Sequence, residues 1–384
     1  MAFEEVALRI LMLNPFYPPY QGGTEKHVYE VSKRLAKKHE VTVLTARLPN
    51  TKKEEVSEGV RIKRTPAFVL KHLPHPLPPP IPVTPFSLRD LAKEAKNADL
   101  VHIHNRFVYG TADILLIRNF LKKDLALTLH NARTIGVDAA TDALGQFYDD
   151  FIGKHTMRKC TCIAGVSRAT LDMTVPSELM DKTRVVYNGV DTKLFNPRIS
   201  GEWFREETGI EGPIVLTNGR LVKQKGIEYL IHAMKGVDAN LVIFGRGPLE
   251  KKLKALARKE GVNALFYSKR VTDGQLASIY GACDVFALPS LWEPFGIVTV
   301  EAMACGKPVV GTNAGGIPEV IDDSSGFVVA KARPKPLKQR IKTLLEDKQL
   351  RKRLGANGRK RVLKYFTWDE SARSTMRMYD DFVG

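Results

Sequence analysis

Two carboxylates, Glu293 and Glu301, are separated by seven residues and lie on either side of a predicted helix start. The proline that follows Glu293 disfavours helix before it. From Ile297 onward, apolar residues recur with the 3.6-residue period of an α-helix. We therefore expect the helix to begin near Phe295 or Gly296. This places Glu293 in the loop and Glu301 in the second helical turn.

The start of this helix is suited to an anion. The first N–H groups of a helix have no partner within it, and the helix dipole favours negative charge beside them. Here they are the N–H groups of Gly296, Ile297 and Val298. A diphosphate at this point, next to two carboxylates, is the arrangement that a nucleotide sugar requires.

Two cations, Arg220 and Lys225, directly follow a predicted strand at residues 213–217. When a nucleoside diphosphate leaves, negative charge develops on it, and a guanidinium with an ammonium can neutralise that charge. The sequence contains no Asp-x-Asp, the carboxylate pair that usually holds a divalent ion in such sites. We therefore expect a site without a metal ion and without a cofactor, in which these cations and the helix start replace the metal.

The surrounding elements alternate between strands and helices along the chain, which predicts doubly wound parallel sheets. A length of 384 residues favours two domains. We place their boundary near residue 195, so that residues 1–195 and 196–384 each form one, with the last helix able to cross back to the first domain. The first domain has a predicted helix at residues 24–37 and strands at residues 8–13, 41–45, 100–104, 125–129 and 160–165. The second has strands at residues 213–217, 241–244, 264–267, 285–288, 308–311 and 327–329.

Residues 72–86 contain seven prolines, which excludes a helix or a central strand there. We expect an extended, semi-rigid loop, either a surface connector or a lid on the acceptor side. Ligands of such sheets bind beyond the carboxyl ends of the strands, which predicts a site in the cleft between the two domains.

Several motifs, in this order along the chain, resemble those of family 4 glycosyltransferases. The most specific is the pair Glu293 and Glu301, followed by the run AMACGKPVV. The others are residues 22–25 (GGTE), 188–191 (NGVD), 219–226 (GRLVKQKG) and 315–319 (GGIPE). The resemblance covers nearly the whole chain. It implies the GT-B fold, two Rossmann-like domains facing each other, and transfer of a sugar with retention of configuration.

The resemblance also implies roles for single residues. Glu301 would accept hydrogen bonds from the ribose hydroxyls, and Glu293 would contact the transferred sugar and stabilise its positively charged ring. His130, in the segment TLHN, matches a histidine that contacts the sugar, and His104 is a second candidate. The catalytic residues are then Glu293 and His130.

Glycines at the first strand-to-helix turn let the backbone approach a donor or acceptor. Arg270 and Val271 lie in a segment that borders the nucleobase pocket in similar enzymes. The family often has an acid where Arg246 stands and a glycine where Ser268 stands, so the base is left open. The donor-binding set comprises Gly22, Gly23, Arg220, Lys225, Phe295, Gly296, Ile297, Val298 and Glu301.

The cysteines, Cys160, Cys162, Cys283 and Cys305, have neither metal-ligand spacing nor a disulfide pattern. Cys160 and Cys162 are predicted to alternate on one strand face. The first residues fit neither a signal peptide nor a membrane span, and no run of 18 apolar residues occurs. We expect a cytoplasmic protein.

The net charge of +17 is concentrated near the C-terminus. The segment from Lys331 to Lys364 holds 14 lysines and arginines against two acids. Solvated helix faces would explain these charges, and so would peripheral contact with an anionic membrane, where a lipid-linked acceptor would lie. Nucleic acid is not expected, because no recognition motif or interleaved aromatic residue accompanies the charge.

The sequence therefore predicts a transferase that moves a hexose from a UDP- or GDP-linked sugar to a hydroxyl of a glycan or a lipid-linked acceptor. Two alternatives stay open. One is a nucleotide-sugar epimerase of similar fold, which would need acid and base carboxylates across the cleft. The other is a non-catalytic protein that binds sugar nucleotides or polyanions.

Overall fold

The computed structural model describes residues 7–20, 22–70, 81–83, 87–104, 117–132 and 139–383. The chain divides into two compact units, of which the first combines Met1–Tyr187 with Trp368–Gly384 and the second is Asn188–Thr367. The second unit thus begins before residue 195. The reason is a β-bridge between Val190 and Thr367, which ties the segment after Asn188 to the end of the second unit.

The first unit contains an eight-stranded sheet in the order β10-β9-β8-β7-β1-β2-β4-β3. Only β3 pairs antiparallel within it. Its strands and those of a small two-stranded sheet, β5 with β6, are β1 Arg9–Leu13, β2 Glu40–Ala46, β3 Glu54–Ser57, β4 Val60–Thr65, β5 Phe68–Leu70, β6 Ile81–Val83, β7 Leu100–Ile103, β8 Asp124–Leu129, β9 Cys162–Gly165 and β10 Thr183–Val185.

Both faces of this sheet are covered. Successive side chains of a strand point to opposite faces. Accordingly Met12 packs in one buried cluster with Val28 and Tyr379, while Leu11 packs in another with Leu91. The helix that ends the chain belongs to the first unit, because Tyr379 lies in that first cluster.

The proline-rich stretch is partly visible. Ile81–Val83 pairs antiparallel with Phe68–Leu70, so this end of the stretch is a strand of a two-stranded sheet. The prediction for residues 72–80 and 84–86 falls outside the described residues. Strands β3, β4 and β10 were not predicted from the sequence.

The second unit contains a six-stranded parallel sheet in the order β13-β12-β11-β14-β15-β16. This is the doubly wound order, in which the topology reverses between β11 and β14. The strands are β11 Ile214–Asn218, β12 Asn240–Phe244, β13 Ala264–Tyr267, β14 Val285–Leu288, β15 Val309–Thr312 and β16 Gly326–Val329.

Helices cover the two sheets. In the described part of the chain they are α1 Gly23–Leu35, α2 Ser87–Asn97, α3 Ala139–Phe147, α4 Lys154–Lys159, α5 Arg168–Thr174, α6 Glu202–Thr208, α7 Ile227–Met234, α8 Glu250–Glu260, α9 Asp273–Ala282, α10 Ile297–Ala304, α11 Ile317–Val320, α12 Pro334–Glu346, α13 Lys348–Tyr365 and α14 Trp368–Phe382. Short π turns lie at Ile117–Leu121 and Tyr148–Gly153, and 3₁₀ turns at Ser177–Lys182 and Lys223–Lys225. None of these helices is long and apolar enough to cross a bilayer.

The cysteines are buried and form no disulfide. Cys160 and Cys162 do not share a strand, because Cys160 ends α4, where its N–H donates to the carbonyl of Met157 at 3.1 Å. Burial raises the pKa of each of the four thiols to about 12. They are core residues, as their apolar sequence surroundings indicate.

Candidate active site

The switch point of the second sheet brings Lys225 and Glu293 together. Lys225 ends the 3₁₀ turn that follows β11, and Glu293 lies in the loop after β14. Lys225 Nζ donates to Glu293 Oε2 at 2.5 Å, with only 15% and 10% of the two side chains exposed. The two charges can be buried because each neutralises the other.

Neighbouring loops hold Glu293 in place. Gln224 Nε2 donates to the carbonyl of Trp292 at 3.1 Å, which ties the β11 loop to the β14 loop. The N–H of Gly316 donates to the carbonyl of Glu293 at 2.9 Å. Gly315 has a φ of +56°, and a Cβ there would come within 2.1 Å of the Glu293 carbonyl oxygen. The motif GGIPE thus needs its first glycine to support the loop of Glu293.

Helix α10 begins where the sequence indicates. Its N-cap is Gly296, whose φ of +90° favours glycine, and Thr299 N donates to Gly296 O at 2.9 Å. The N–H groups of Ile297 and Val298 precede that first turn bond, as in any helix start. The ring of Phe295 is buried, with its centroid 5.6 Å from that of the Phe366 ring.

Glu301 lies in the second turn of α10, at a different point from Glu293. Tyr280 of α9 donates its hydroxyl to Glu301 Oε2 at 2.7 Å. Asn218, the last residue of β11, donates from Nδ2 to the Tyr280 oxygen at 2.9 Å. Sequence reasoning missed both partners. Asn218 could have been noticed as a polar residue at a strand's carboxyl end, whereas Tyr280 lies in a helix and gives no such signal.

The remaining candidates of this unit lie around the same edge of the sheet. Arg220 is exposed on the β11 loop. Arg270 is exposed and Val271 half-buried in the loop after β13. Arg246 Nε donates to the carbonyl of Ser268 at 2.5 Å. This arginine, which stands where the family often has an acid, therefore ties the β12 loop to the β13 loop.

In the first unit, three histidines lie together beyond the carboxyl ends of β1, β7 and β8. His27 lies on α1, His104 follows β7 and His130 follows β8. His104 Nδ1 and His130 Nε2 are 3.2 Å apart. His102 of β7 lies beneath them, with its two nitrogens 2.7 Å from the Thr128 hydroxyl and 2.6 Å from the Tyr379 hydroxyl.

Burial favours the neutral form of His102, His104 and His130. It lowers the pKa of His102 to about 3, with a smaller effect from neighbouring His27. Burial and the adjacent imidazoles also hold the pKa of His104 and of His130 well below the ordinary value. A neutral His130 can donate or accept one hydrogen bond at physiological pH.

The same histidines are the residues that could hold a metal ion. Ring nitrogens of His27, His104 and His130 lie within 4.8 Å of one another. In the described residues no carboxylate belongs to this group. Three neutral imidazoles are a donor set that a divalent ion such as Zn²⁺ accepts.

The glycine pair of the first strand-to-helix turn differs between its members. Gly22 is the N-cap of α1, and a Cβ on it would come within 2.1 Å of Glu25 Oε2. Gly23 has open space around it, with no atom within 4 Å of a Cβ. Burial raises the pKa of the Glu25 carboxyl. A side chain at Gly22 would thus meet Glu25, whereas one at Gly23 would meet open space.

Comparison with known proteins identifies the family. A family model described as Glycosyltransferase Family 4 matches residues 21–194, and one described as Glycosyl transferases group 1 matches residues 202–361. An uncharacterized glycosyltransferase of Methanocaldococcus jannaschii is 30% identical over 98% of this chain and 99% of its own length. The chain is a family 4 glycosyltransferase.

Solved structures show the same fold. Sucrose-phosphate synthase from Thermosynechococcus elongatus matches the chain with a TM-score of 0.79 at 24% identity. The match covers 97% of the family 4 glycosyltransferase and 98% of the synthase chain. Anabaena HepE, in complex with UDP and glucose, has a TM-score of 0.75 at 20% identity, covering 97% and 100%. The GT-B fold class predicted from the sequence is thereby confirmed.

Two cations of the glycosyltransferase's basic segment (residues 331–364) are structural. Arg359 and Arg361 of α13 are half-buried and bind backbone carbonyls. Arg359 donates to the carbonyls of Thr192, Phe195 and Ala304 at 3.0, 2.8 and 3.0 Å. Arg361 donates to the carbonyls of Glu319 and Val320 and to the Asp322 carboxylate, at 2.8, 2.8 and 2.7 Å.

Proposed function

We propose that this glycosyltransferase moves a hexose from a nucleoside diphosphate sugar to a hydroxyl of a glycan or a lipid-linked acceptor, with retention of configuration and without a metal ion. The contact between Lys225 and Glu293 is the observation that carries the proposal. It supports the idea that a cation for the diphosphate and a carboxylate for the sugar hydroxyls lie side by side at the switch point.

The proposed chemistry is a front-face displacement. The acceptor hydroxyl attacks the anomeric carbon from the side of the leaving group. The bond to the diphosphate oxygen breaks with its electron pair, and that diphosphate takes the acceptor's proton. Glu293 stabilises the positively charged ring, while Arg220, Lys225 and the start of α10 neutralise the leaving diphosphate.

The neutral state of His130 supports its proposed role as a hydrogen-bond partner of a sugar hydroxyl. For the donor, UDP is the first candidate, because HepE, a protein of similar fold, was solved with UDP and with UDP-glucose. GDP stays a candidate, since the two loops that contain Arg246 and Ser268 depart from the common pattern of the family. The free thiols are compatible with a cytoplasmic location.

Thermal-shift measurements with UDP, GDP and ADP test the donor site. A nucleotide at about 100 times its dissociation constant adds about 2.7 kcal/mol to the free energy of unfolding. Proton NMR of the transferred sugar then reports the configuration of the product. Interconversion of UDP-sugars without an acceptor would instead indicate the epimerase, and binding without donor hydrolysis or transfer would indicate a non-catalytic binder.

For the acceptor we propose a place at an anionic membrane, reached through the basic segment. Helix α13 carries exposed cations along its length. Leu363 and Tyr365 of the same helix are 50% and 39% exposed. A helix surface with cations beside exposed apolar side chains suits a lipid headgroup layer. The exposed cations of α13 are Lys348, Lys352, Arg353, Lys360 and Lys364.

Vesicle sedimentation tests this contact. Reversal of Lys352, Arg353, Lys360 and Lys364 to glutamate should abolish binding to acidic vesicles, since each cation near the surface contributes about 1 kcal/mol. The matched control reverses four exposed cations of α8, Lys251, Lys252, Arg258 and Lys259. Equal loss in both variants would indicate net charge alone, and a wild-type protein that ignores acidic vesicles at low salt would contradict the proposal.

A further inference from the structure

A buried chain of hydrogen bonds leads from the end of β11 to Glu301. Asn218 donates to the oxygen of Tyr280, and Tyr280 donates to Glu301, with distances of 2.9 and 2.7 Å. The side chain of Tyr280 is 0% exposed and that of Glu301 only 6%. The three residues belong to three elements, β11, α9 and α10.

The direction of this chain is determined by its members. An ionised carboxylate only accepts, and a phenol has a single proton to give. Because the amide of Asn218 donates to the phenol oxygen, the one proton of Tyr280 is directed to Glu301. Burial and the adjacent carboxylate raise the pKa of Tyr280 well above its ordinary value, which favours the protonated phenol.

The rings around Tyr280 keep it in place. Phe195 and Phe286 lie at centroid distances of 5.7 and 5.8 Å from its ring. Tyr280 thus has a fixed ring and a fixed proton. A carboxylate that accepts from such a donor cannot turn about its terminal bond without losing the hydrogen bond.

We propose that Tyr280 and Asn218 are positioning residues that set the Glu301 carboxylate for the ribose hydroxyls of the donor nucleotide. The inference rests on the proposed function, in which Glu301 binds the ribose. Neither residue is proposed to touch the nucleotide itself. Their effect reaches the ligand only through Glu301.

The test compares a ribonucleotide with its deoxy counterpart. Dissociation constants of UDP and 2′-deoxy-UDP are measured by calorimetry, or those of GDP and 2′-deoxy-GDP if GDP stabilises the wild type more. In the wild type the ribonucleotide should bind about tenfold more tightly, as expected of a hydrogen bond to a charged group. In Tyr280→Phe this ratio should fall to about two, with the deoxynucleotide nearly unaffected.

A purely structural role of Tyr280 would give a different result. Loss of packing would weaken both nucleotides alike and leave their ratio unchanged. Tyr365→Phe, at an exposed tyrosine of the same unit, is the matched control and should retain the wild-type ratio. In a Glu301→Ala background, Tyr280→Phe should not change the ratio further, since the two act as one unit.

Asn218→Ala keeps the proposal testable should Tyr280→Phe fail to fold. It leaves the phenol in place and removes only the group that directs its proton, so the ratio should fall by about threefold. A wild-type ratio in both variants overturns this inference while leaving the proposed function intact. A wild type that binds none of UDP, GDP and ADP overturns both.

Discussion

The histidine cluster of the first unit and the Lys225–Glu293 pair of the second lie at the same place in their sheets. Each follows strands that flank the point where the strand order reverses, between β1 and β7 in one unit and between β11 and β14 in the other. The chemistry differs. In the first cluster, burial favours neutral imidazoles at His104 and His130, whereas the second is made of two opposite charges.

Desolvation makes the burial of a charge costly, and each cluster avoids that cost in a different way. Imidazoles avoid its cost by staying unprotonated, which the lowered pKa values express. Lysine and glutamate avoid it by neutralising each other. An ion pair suits a site that is proposed to bind a diphosphate, because the charge of the ligand can replace one partner of the pair.

The largest effect is expected from removing a cation of the second unit. Arg220→Ala or Lys225→Ala should each cost on the order of 2–4 kcal/mol in kcat/KM, comparable to the loss of an oxyanion donor. Lys223→Ala, at an exposed lysine of the same turn, is the control and should remain close to wild type. Activity should survive EDTA, and a strict requirement for Mg²⁺ or Mn²⁺ would disprove the metal-free mechanism.

A somewhat smaller effect should separate the two glutamates. Glu301→Ala should weaken nucleotide binding by about 1.5–3 kcal/mol, since it removes a charged hydrogen-bond acceptor. Glu293→Gln should lower turnover and leave the affinity for the nucleoside diphosphate near wild type. Calorimetry and steady-state kinetics check both, with Glu346→Gln at an exposed position as control. Normal turnover in both variants would mean that the active site lies elsewhere.

The neutral cluster predicts that acid destabilises the protein. Below pH 6.5 the unfolded chain protonates a histidine that folded His102, with a pKa of about 3, does not. Stability should therefore fall with pH, by about 2 kcal/mol for such a histidine between pH 7 and pH 5.

Urea unfolding of His102→Gln measures this contribution. Whatever its baseline stability, the variant should lose about 2 kcal/mol less than wild type over this pH range. His155→Asn, which removes an exposed histidine, should lose as much as wild type. If the free energy of unfolding fell equally with pH in His102→Gln and wild type, His102 would already bind a proton in the folded state.

The smallest expected effect is on the pH dependence of catalysis. With an ordinary pKa of 6.5, His130 would lose its neutral form about fourfold between pH 8 and pH 6. Because burial holds its pKa well below that value, kcat/KM should not show this loss. An inflection near pH 6.5 that disappears in His130→Asn would contradict a neutral role for this histidine.

Much of the second unit could be predicted from the sequence. Its six strands lie within one residue of their predicted positions at every end, because short apolar runs between polar segments indicate buried parallel strands. The start of α10 was predicted at Phe295 or Gly296 and lies at Ile297, since proline and glycine mark it directly. In the first unit, β3, β4 and β10 were missed. Neither β3 nor β10 carries a clear apolar alternation, and β4 shows it only at Val60 and Ile62.

The sequence alone determined most of the order of the elements and the candidate residues at the strand ends and the start of α10, because apolar spacing and composition express these properties, while the family followed from motifs that resemble those of known members. Only the tertiary structure decided what those residues contact. It paired Lys225 with Glu293, placed Tyr280 against Glu301, buried the Phe295 ring and assigned Arg359 to backbone carbonyls. Such contacts join segments far apart in the chain, and desolvation, which decides their charge state, depends on the whole fold.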